Sequence, residues 1–251
     1  MTIFHALVLG IVEGITEFLP ISSTAHLIIA SRLMGLASSD FLKTFEIVVQ
    51  SGAILAVLLV YYKRIIGSFS LIKNIAIAFI PTAIIGLLFY PFVRSFLDNY
   101  ILTIWVIILG GVAIIFFERN SSVDGGGEVT PKKSFLVGFA QTLAFIPGVS
   151  RSAATIIAGR AMGISRKDIV DFSFLLAIPT MFAATGYDLF KNKEAIFVSG
   201  HLDLLMVGLV FAFLSSFIVI HWFLKFAQTN KLTVFGWYRI IFGLALLIFF
   251  R

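Results

Sequence analysis

Six stretches of this chain, at about 45–62, 72–93, 101–117, 172–190, 204–224 and 233–250, each come close to the ~20 consecutive apolar residues that carry a helix across a bilayer. Together they take up so much of the 251 residues that no length remains for a separate soluble domain. The expected fold is therefore an all-α polytopic membrane protein forming one integral membrane domain over residues 1–251. A composition of 59% hydrophobic residues, 28 of them Phe, with only 13% charged, agrees with a bilayer environment. The net charge of +6 is scattered as Lys and Arg over short connections, with no basic stripe or aromatic platform for nucleic acid. These charges are better suited to orienting the spans. The lack of Cys excludes disulfides and thiolate chemistry. The N-terminal apolar run is interrupted by Glu13 and Glu17 and has no cleavage signal, so it is expected to be retained.

The chain also repeats itself. An offset of 128 aligns Gly10 with Gly138, Glu13 with Gln141, Ser22 with Ser150, Thr24 with Ser152, Arg32 with Arg160 and Gly35 with Gly163. This divides the sequence into a first repeat at about 1–117, a polar linker at 118–133 containing the Gly125-Gly126-Gly127 run, and a second repeat at about 134–251.

Each repeat opens with an apolar stretch broken near its middle, at Leu19-Pro20-Ile21-Ser22-Ser23-Thr24 and at Ile146-Pro147-Gly148-Val149-Ser150-Arg151-Ser152. Irregular backbone at membrane depth is tolerated only against protein or a water-filled cavity, so both breaks imply a buried polar site. If both stretches are re-entrant hairpins, the Lys and Arg residues of the connections divide eleven to six between the two sides; if both cross fully, they divide nine to eight. Only the hairpin arrangement obeys the positive-inside rule clearly. The expectation is six transmembrane helices plus two re-entrant helix hairpins, related as an inverted-topology repeat whose tips meet near the midplane.

The tips carry the polar chemistry. Glu13 and Glu17 lie four residues apart on one helical face, where burying a carboxylate costs ~2.5–3.5 kcal/mol unless function or pairing accounts for it. Helix resuming after Pro20 would bring His26 to the face of Ser22 and Ser23, a hydroxyl with an imidazole in reach. In the second tip Arg151 stands among Ser150, Ser152 and Thr155, a guanidinium with hydroxyls and free helix-start N–H groups that suits an oxyanion such as phosphate. The set as a whole suits phosphoryl transfer on a lipid-borne substrate. A carrier for lipid phosphate or a small anion, built on the same inverted repeat, is the alternative. Of the remaining polar residues, Arg239 is expected to snorkel to an interface and Asp188 to reach water from the last turn of its span, while Gln50 and Ser51 could line a cavity or serve helix contact.

The string Glu13-Gly14-Ile15-Thr16-Glu17-Phe18-Leu19-Pro20-Ile21-Ser22-Ser23-Thr24-Ala25-His26 and the string Pro147-Gly148-Val149-Ser150-Arg151-Ser152-Ala153-Ala154-Thr155 closely resemble the two signatures of the undecaprenyl-diphosphate phosphatase family, also called bacitracin-resistance proteins. Gln50-Ser51-Gly52-Ala53 extends the match, while Ala25 and Ala153 stand where that family usually has Gly. The resemblance implies hydrolysis of a polyprenyl diphosphate to the monophosphate and inorganic phosphate, which recycles the lipid carrier of cell-envelope assembly, in the cytoplasmic membrane with the site open to its outer face. It implies Ser23 and His26 as nucleophile candidates, with Ser23 attacking and His26 relaying its proton in the favoured version. Glu13 and Glu17 become the acid/base pair or the ligands of a divalent cation, Mg²⁺ or Ca²⁺, and Arg151 the phosphate clamp. Ser22, Thr24, Gln141, Ser150, Ser152 and Thr155 complete the expected substrate contacts. The expected partners are the polyprenyl diphosphate and membrane lipids, with a homodimer left open and no nucleic acid.

Overall fold

A computed structural model describes residues 1–120, 126–193 and 201–250 of the chain. Among them the backbone is helical throughout its ordered elements, apart from an isolated pairing of Gly127 with Ile164. The order is α1 (Ile3–Thr16), α2 (Ser23–Leu33), α3 (Asp40–Val48), α4 (Gln50–Ile66), α5 (Phe69–Phe96), α6 (Tyr100–Asn120), α7 (Pro131–Gln141), a 3₁₀ turn (Thr142–Phe145), α8 (Arg151–Ala161), α9 (Arg166–Lys191), α10 (Leu202–Thr229) and α11 (Thr233–Phe249). Of the expected linker at 118–133, residues 121–125, including Gly125, lie outside the described residues.

The six apolar stretches all fall in helices. Five are long and apolar enough to cross a membrane: Asp40–Ile66, in which α3 and α4 run on as one rod, Phe69–Phe96, Tyr100–Arg119, Arg166–Lys191 and Leu202–Ala227. The sixth, α11, has 17 residues, about 26 Å, which is the short end of what spans a hydrocarbon core. Leu88, Ile218 and Ile248 turn more than two-thirds of their surface outward, as lipid-facing side chains do.

The hairpin pairs α1–α2 and α7–α8 are built alike. Thr2 and Thr130 cap α1 and α7, each accepting a backbone N–H three residues on. Both stretches then break at a proline and turn through a serine with φ of 72°, Ser22 in one and Ser150 in the other. Helix resumes at the next residue in each, and each second helix stops at a glycine of positive φ, Gly35 at 71° and Gly163 at 75°. The threonine, serine and glycine pairs keep the offset of 128, and the prolines, Pro20 and Pro147, are offset by 127.

The inversion is visible where equivalent helices meet. In α6 and α11, Tyr100 packs on Phe250, while Gly111 lies so close to Gly236 that an added Cβ would stand 2.6 Å from its carbonyl oxygen. Early residues of one helix therefore face late residues of the other, and the two run antiparallel. Close backbone approach takes the place of a hydrophobic driving force here, since lipid is as apolar as the protein interior. The same device docks the hairpins on the opposite repeat: a Cβ on Gly10 of α1 would lie 2.5 Å from the Gly208 carbonyl oxygen of α10, and one on Gly138 of α7 only 1.8 Å from that of Ala78 in α5. Buried Phe18, next in sequence to the first tip, packs on Phe174 with its ring tilted, and Phe174 stacks on Phe223.

Candidate active site at the two hairpin tips

The two tips touch. Ser152 donates to the Leu19 carbonyl at 3.1 Å, and Arg151 reaches across to Glu17. At the first tip α1 ends beside Glu17, Pro20 interrupts the helix, and α2 begins at Ser23. Ser22 makes no side-chain capping bond, which leaves the first N–H groups of α2 free of a protein cap, a standing preference for an anion.

Glu17 sits at the centre of the contact. One carboxylate oxygen accepts the Ser23 hydroxyl at 2.5 Å and the other accepts Arg151 Nη2 at 3.1 Å. Arg151 is fixed by a second bond, from Nη1 to the Ser173 carbonyl at 2.7 Å, while its Nε has no partner among the described residues. A serine hydroxyl held on a carboxylate, with a guanidinium on the far side of that carboxylate, can lose its proton and attack an electrophile placed before the arginine.

Glu13 lies beside Glu17, fully buried, and neither of its carboxyl oxygens has a hydrogen-bond partner among the described residues. Its repeat counterpart Gln141 donates to Thr82 at 2.8 Å and Thr180 at 3.1 Å, but its side-chain oxygen likewise has no partner among the described residues. Among the described residues no three carboxylate or imidazole groups gather in a ready-made cation cage. Glu13 nonetheless offers two oxygens unengaged among the described residues, and a hard cation could complete its shell there with water and phosphate oxygens.

A cavity of about 660 Å³ opens over this contact. Of the expected residues, Glu17, Ser22, Ser23, Thr24, Gln141, Ser150 and Arg151 line it. Ser152 and Thr155 do not: the first pins the tips together, and the second bonds the Arg151 carbonyl at 2.9 Å and the Ser173 hydroxyl at 2.6 Å, bracing the arginine from behind. Glu13 lies beneath the lining rather than on it. The remaining walls are mostly apolar, with Phe79, Leu87, Phe145 and Phe182 among them. An apolar chamber with a few convergent polar groups fits a lipid with an anionic head.

His26 departs from the sequence expectation. Its Nδ1 is 2.7 Å from the Ser22 carbonyl and its Nε2 2.8 Å from the Tyr238 hydroxyl, and the ring stacks on Phe242. The i+4 spacing brought the imidazole to the backbone of Ser22 rather than to either hydroxyl. Arg239 differs further. Expected at an interface, it is completely buried and donates to five carbonyls: Pro20 of the first tip, Gly148 and Val149 of the second, and Val106 and Ile107 of α6. Asp188, expected in water, is also fully buried, paired with Arg94 and bonded to Tyr90 at 2.5 Å. Gln50 lines the cavity, whereas Ser51 bonds Thr185 at 2.8 Å as a helix contact. None of the arginine's carbonyl partners could be read from local pattern, since backbone carbonyls have no sequence signature. The one available signal was a basic residue inside an apolar stretch.

Comparison with known proteins adds a sequence-wide likeness. The family described as bacitracin resistance protein BacA matches residues 6–245. The undecaprenyl-diphosphatase of Aquifex aeolicus (strain VF5) is 47% identical over 255 residues, covering all of this chain and 99% of the relative. Those of Sulfurihydrogenibium sp. (strain YO3AOP1) and Wolinella succinogenes are 45% and 44% identical, covering 97% and 99% of this chain and 98% of each relative.

Proposed function

The chain belongs to the bacitracin resistance protein BacA family, and on that premise we propose that it hydrolyses undecaprenyl diphosphate to undecaprenyl phosphate and inorganic phosphate, returning a lipid carrier to use. The observation that carries this reading is the Ser23–Glu17–Arg151 constellation at the floor of a lipid-sized apolar cavity. The relatives carry the diphosphatase name, and a carrier has no need of a hydroxyl held on a carboxylate, so the transporter alternative is set aside.

In this mechanism the terminal phosphate rests against Arg151 and the open N–H groups that begin α2. Glu17 takes the Ser23 proton as Oγ attacks the terminal phosphorus. The bond from that phosphorus to the bridging oxygen breaks, and lipid monophosphate leaves with the proton handed on by Glu17. Water then attacks the phosphoserine, giving one proton through Glu17 to Ser23 Oγ and keeping its hydroxyl on the released phosphate. Arg151 balances the charge that gathers on the equatorial oxygens in both steps. His26, with both ring nitrogens engaged, fits a positioning role for α2 better than that of nucleophile or proton relay.

Glu13 is the residue that would hold a Mg²⁺ or Ca²⁺ ion, which would supply charge neutralisation to the diphosphate. Since neither repeat contains both Ser23 and Arg151, the whole chain acts as one unit. We place it in the cytoplasmic membrane with the cavity open to the outer face, the side that the scarcity of Lys and Arg in the connections favours. The test is phosphate release from undecaprenyl diphosphate by the purified protein in detergent. Wild type should turn over and Ser23→Ala and Arg151→Ala should be inert; an inactive wild type, or a fully active Ser23→Ala, overturns the assignment.

A further inference from the structure

Helix α9 is fastened at both ends by the same kind of cluster. Near its start Asp171 takes a hydrogen bond from Tyr61 at 2.6 Å and an ion pair from Arg64, both of α4. Near its finish Asp188 takes a hydrogen bond from Tyr90 and an ion pair from Arg94, both of α5. The two clusters differ in one respect. Tyr61 and Arg64 stand clear of the cavity, whereas Tyr90 and Arg94 form part of its wall.

The charge inventory of that wall is short. Among the described residues lining the cavity, Arg151 and Arg94 are the cations and Glu17 is the carboxylate. Glu17 already engages Arg151, so the floor alone is left with little uncompensated positive charge to draw a diphosphate into an apolar chamber. Arg94 lies eight residues beyond Gly86, the point where α5 meets Phe145 of the second hairpin, which places it about 12 Å farther along the helix. Its surroundings bind it loosely on one side. Besides Asp188, Nη1 reaches Tyr90 at 3.3 Å, and Nη2 makes only long contacts, to the Asp40 carboxylate and carbonyl at 3.3 and 3.4 Å and to Thr44 at 3.5 Å. The second Asp188 oxygen has no hydrogen-bond partner among the described residues.

We propose that Arg94 is the entry contact for the anionic headgroup: parked on Asp188 at the cavity mouth, it trades that carboxylate for phosphate oxygens and passes the diphosphate inward to Arg151. This deepens the proposed function and rests on it. Asp188 is then a positioning residue that competes with substrate, and the two members of one ion pair must affect substrate capture with opposite sign.

The experiment compares wild type, Arg94→Gln, Asp188→Asn and the double variant, measuring phosphate release from undecaprenyl diphosphate in mixed micelles over a range of substrate fraction and salt. Arg94→Gln should raise KM about tenfold and flatten the fall of kcat/KM with salt. Asp188→Asn should lower KM at least about twofold by releasing the arginine. If Arg94→Gln does not fold because Asp188 is left unpaired, the double variant set against Asp188→Asn isolates the arginine, and the tenfold rise in KM should appear there. KM values that shift in the same direction for Arg94→Gln and Asp188→Asn make the pair a strut between α5 and α9 and overturn the proposal. A wild type that releases no phosphate overturns the functional reading itself.

Discussion

Ser23 and Glu17 are joined across the bend of the first hairpin by a 2.5 Å hydrogen bond, while the imidazole three residues beyond the serine points to Tyr238. The expected ranking of variants follows. Glu17→Gln should lower kcat about 10²- to 10⁴-fold, the range for loss of a general base, and Ser23→Ala at least as much. His26→Ala should cost about tenfold, as loss of a supporting contact does. Steady-state phosphate release checks this, and a His26→Ala loss equal to that of Ser23→Ala would reinstate the imidazole in the chemistry. Phosphate trapped on the enzyme should be acid-stable, as on serine.

Arg239 binds both tips and α6 through five carbonyls. Removing it strands several buried acceptors, each worth about 1–3 kcal/mol. Arg239→Ala should therefore unfold at much lower temperature in detergent, by the equivalent of at least ~3 kcal/mol. Arg239→Lys should recover only part of this, because an ammonium cannot span carbonyls from three segments.

Ser22 and Ser150 share a φ of 72°, a conformation that costs an L-residue about 1–2 kcal/mol. Only Ser150 recovers some of this by capping, through its bond with the Ala153 N–H at 3.3 Å. Ser22→Gly should raise thermal stability by about 1 kcal/mol. Ser150→Gly should be close to neutral, since the lost cap offsets the relieved strain. Equal gains at both sites would contradict the capping argument.

Glu13 is buried with no hydrogen-bond partner for its carboxyl oxygens among the described residues. Glu13→Gln removes a buried ionisable group at nearly constant shape and should hold or raise the melting temperature. It should also lower activity about 10- to 100-fold and abolish any response to added Mg²⁺ or Ca²⁺. Loss of stability together with activity would mean that Glu13 is structural.

Asp98, in the turn between α5 and α6, accepts Lys43 at 2.7 Å and Ser38 at 2.8 Å. The Lys43 hydrogen bond is the main reason that its carboxyl sits below the ordinary value of 3.8, with the Ser38 bond adding to it. A lowered value means that the stabilisation is present above pH 3.8 and is lost as pH falls through the folded-state value. Because the carboxylate is half exposed, solvent screening holds this to well under ~1 kcal/mol. Lys43→Met should leave the melting temperature at pH 7 almost unchanged, in contrast to Arg239→Ala.

The spans, the broken stretches and the offset of 128 were legible because hydrophobic periodicity and repetition are local properties of a sequence. The placing of Glu17, Ser23 and Arg151 in the tips was legible for the same reason, each being polar where polarity is costly, but not that Ser23 would bond Glu17. What escaped was partnership over long separations. Asp188 near a helix end looks solvated until Arg94, 94 residues away, closes on it. Arg239 beside Trp237 and Tyr238 looks interfacial until Pro20, 219 residues away, supplies its carbonyl. His26 went astray differently: spacing gave the correct neighbour, Ser22, but could not distinguish its hydroxyl from its carbonyl.

The antiparallel pairing of α6 with α11 has a consequence for biosynthesis. A ribosome making this chain must thread one architecture into the bilayer twice, the second time upside down. The balance of basic residues that steers insertion therefore cannot be carried over whole from the first copy to the second; apart from the retained Arg32–Arg160 pair, it has to be redistributed on its connections. Where Lys and Arg fall between the helices is thus as much a part of the inherited design as the residues at the tips, and moving a few of them could misdirect one half while every span stayed intact.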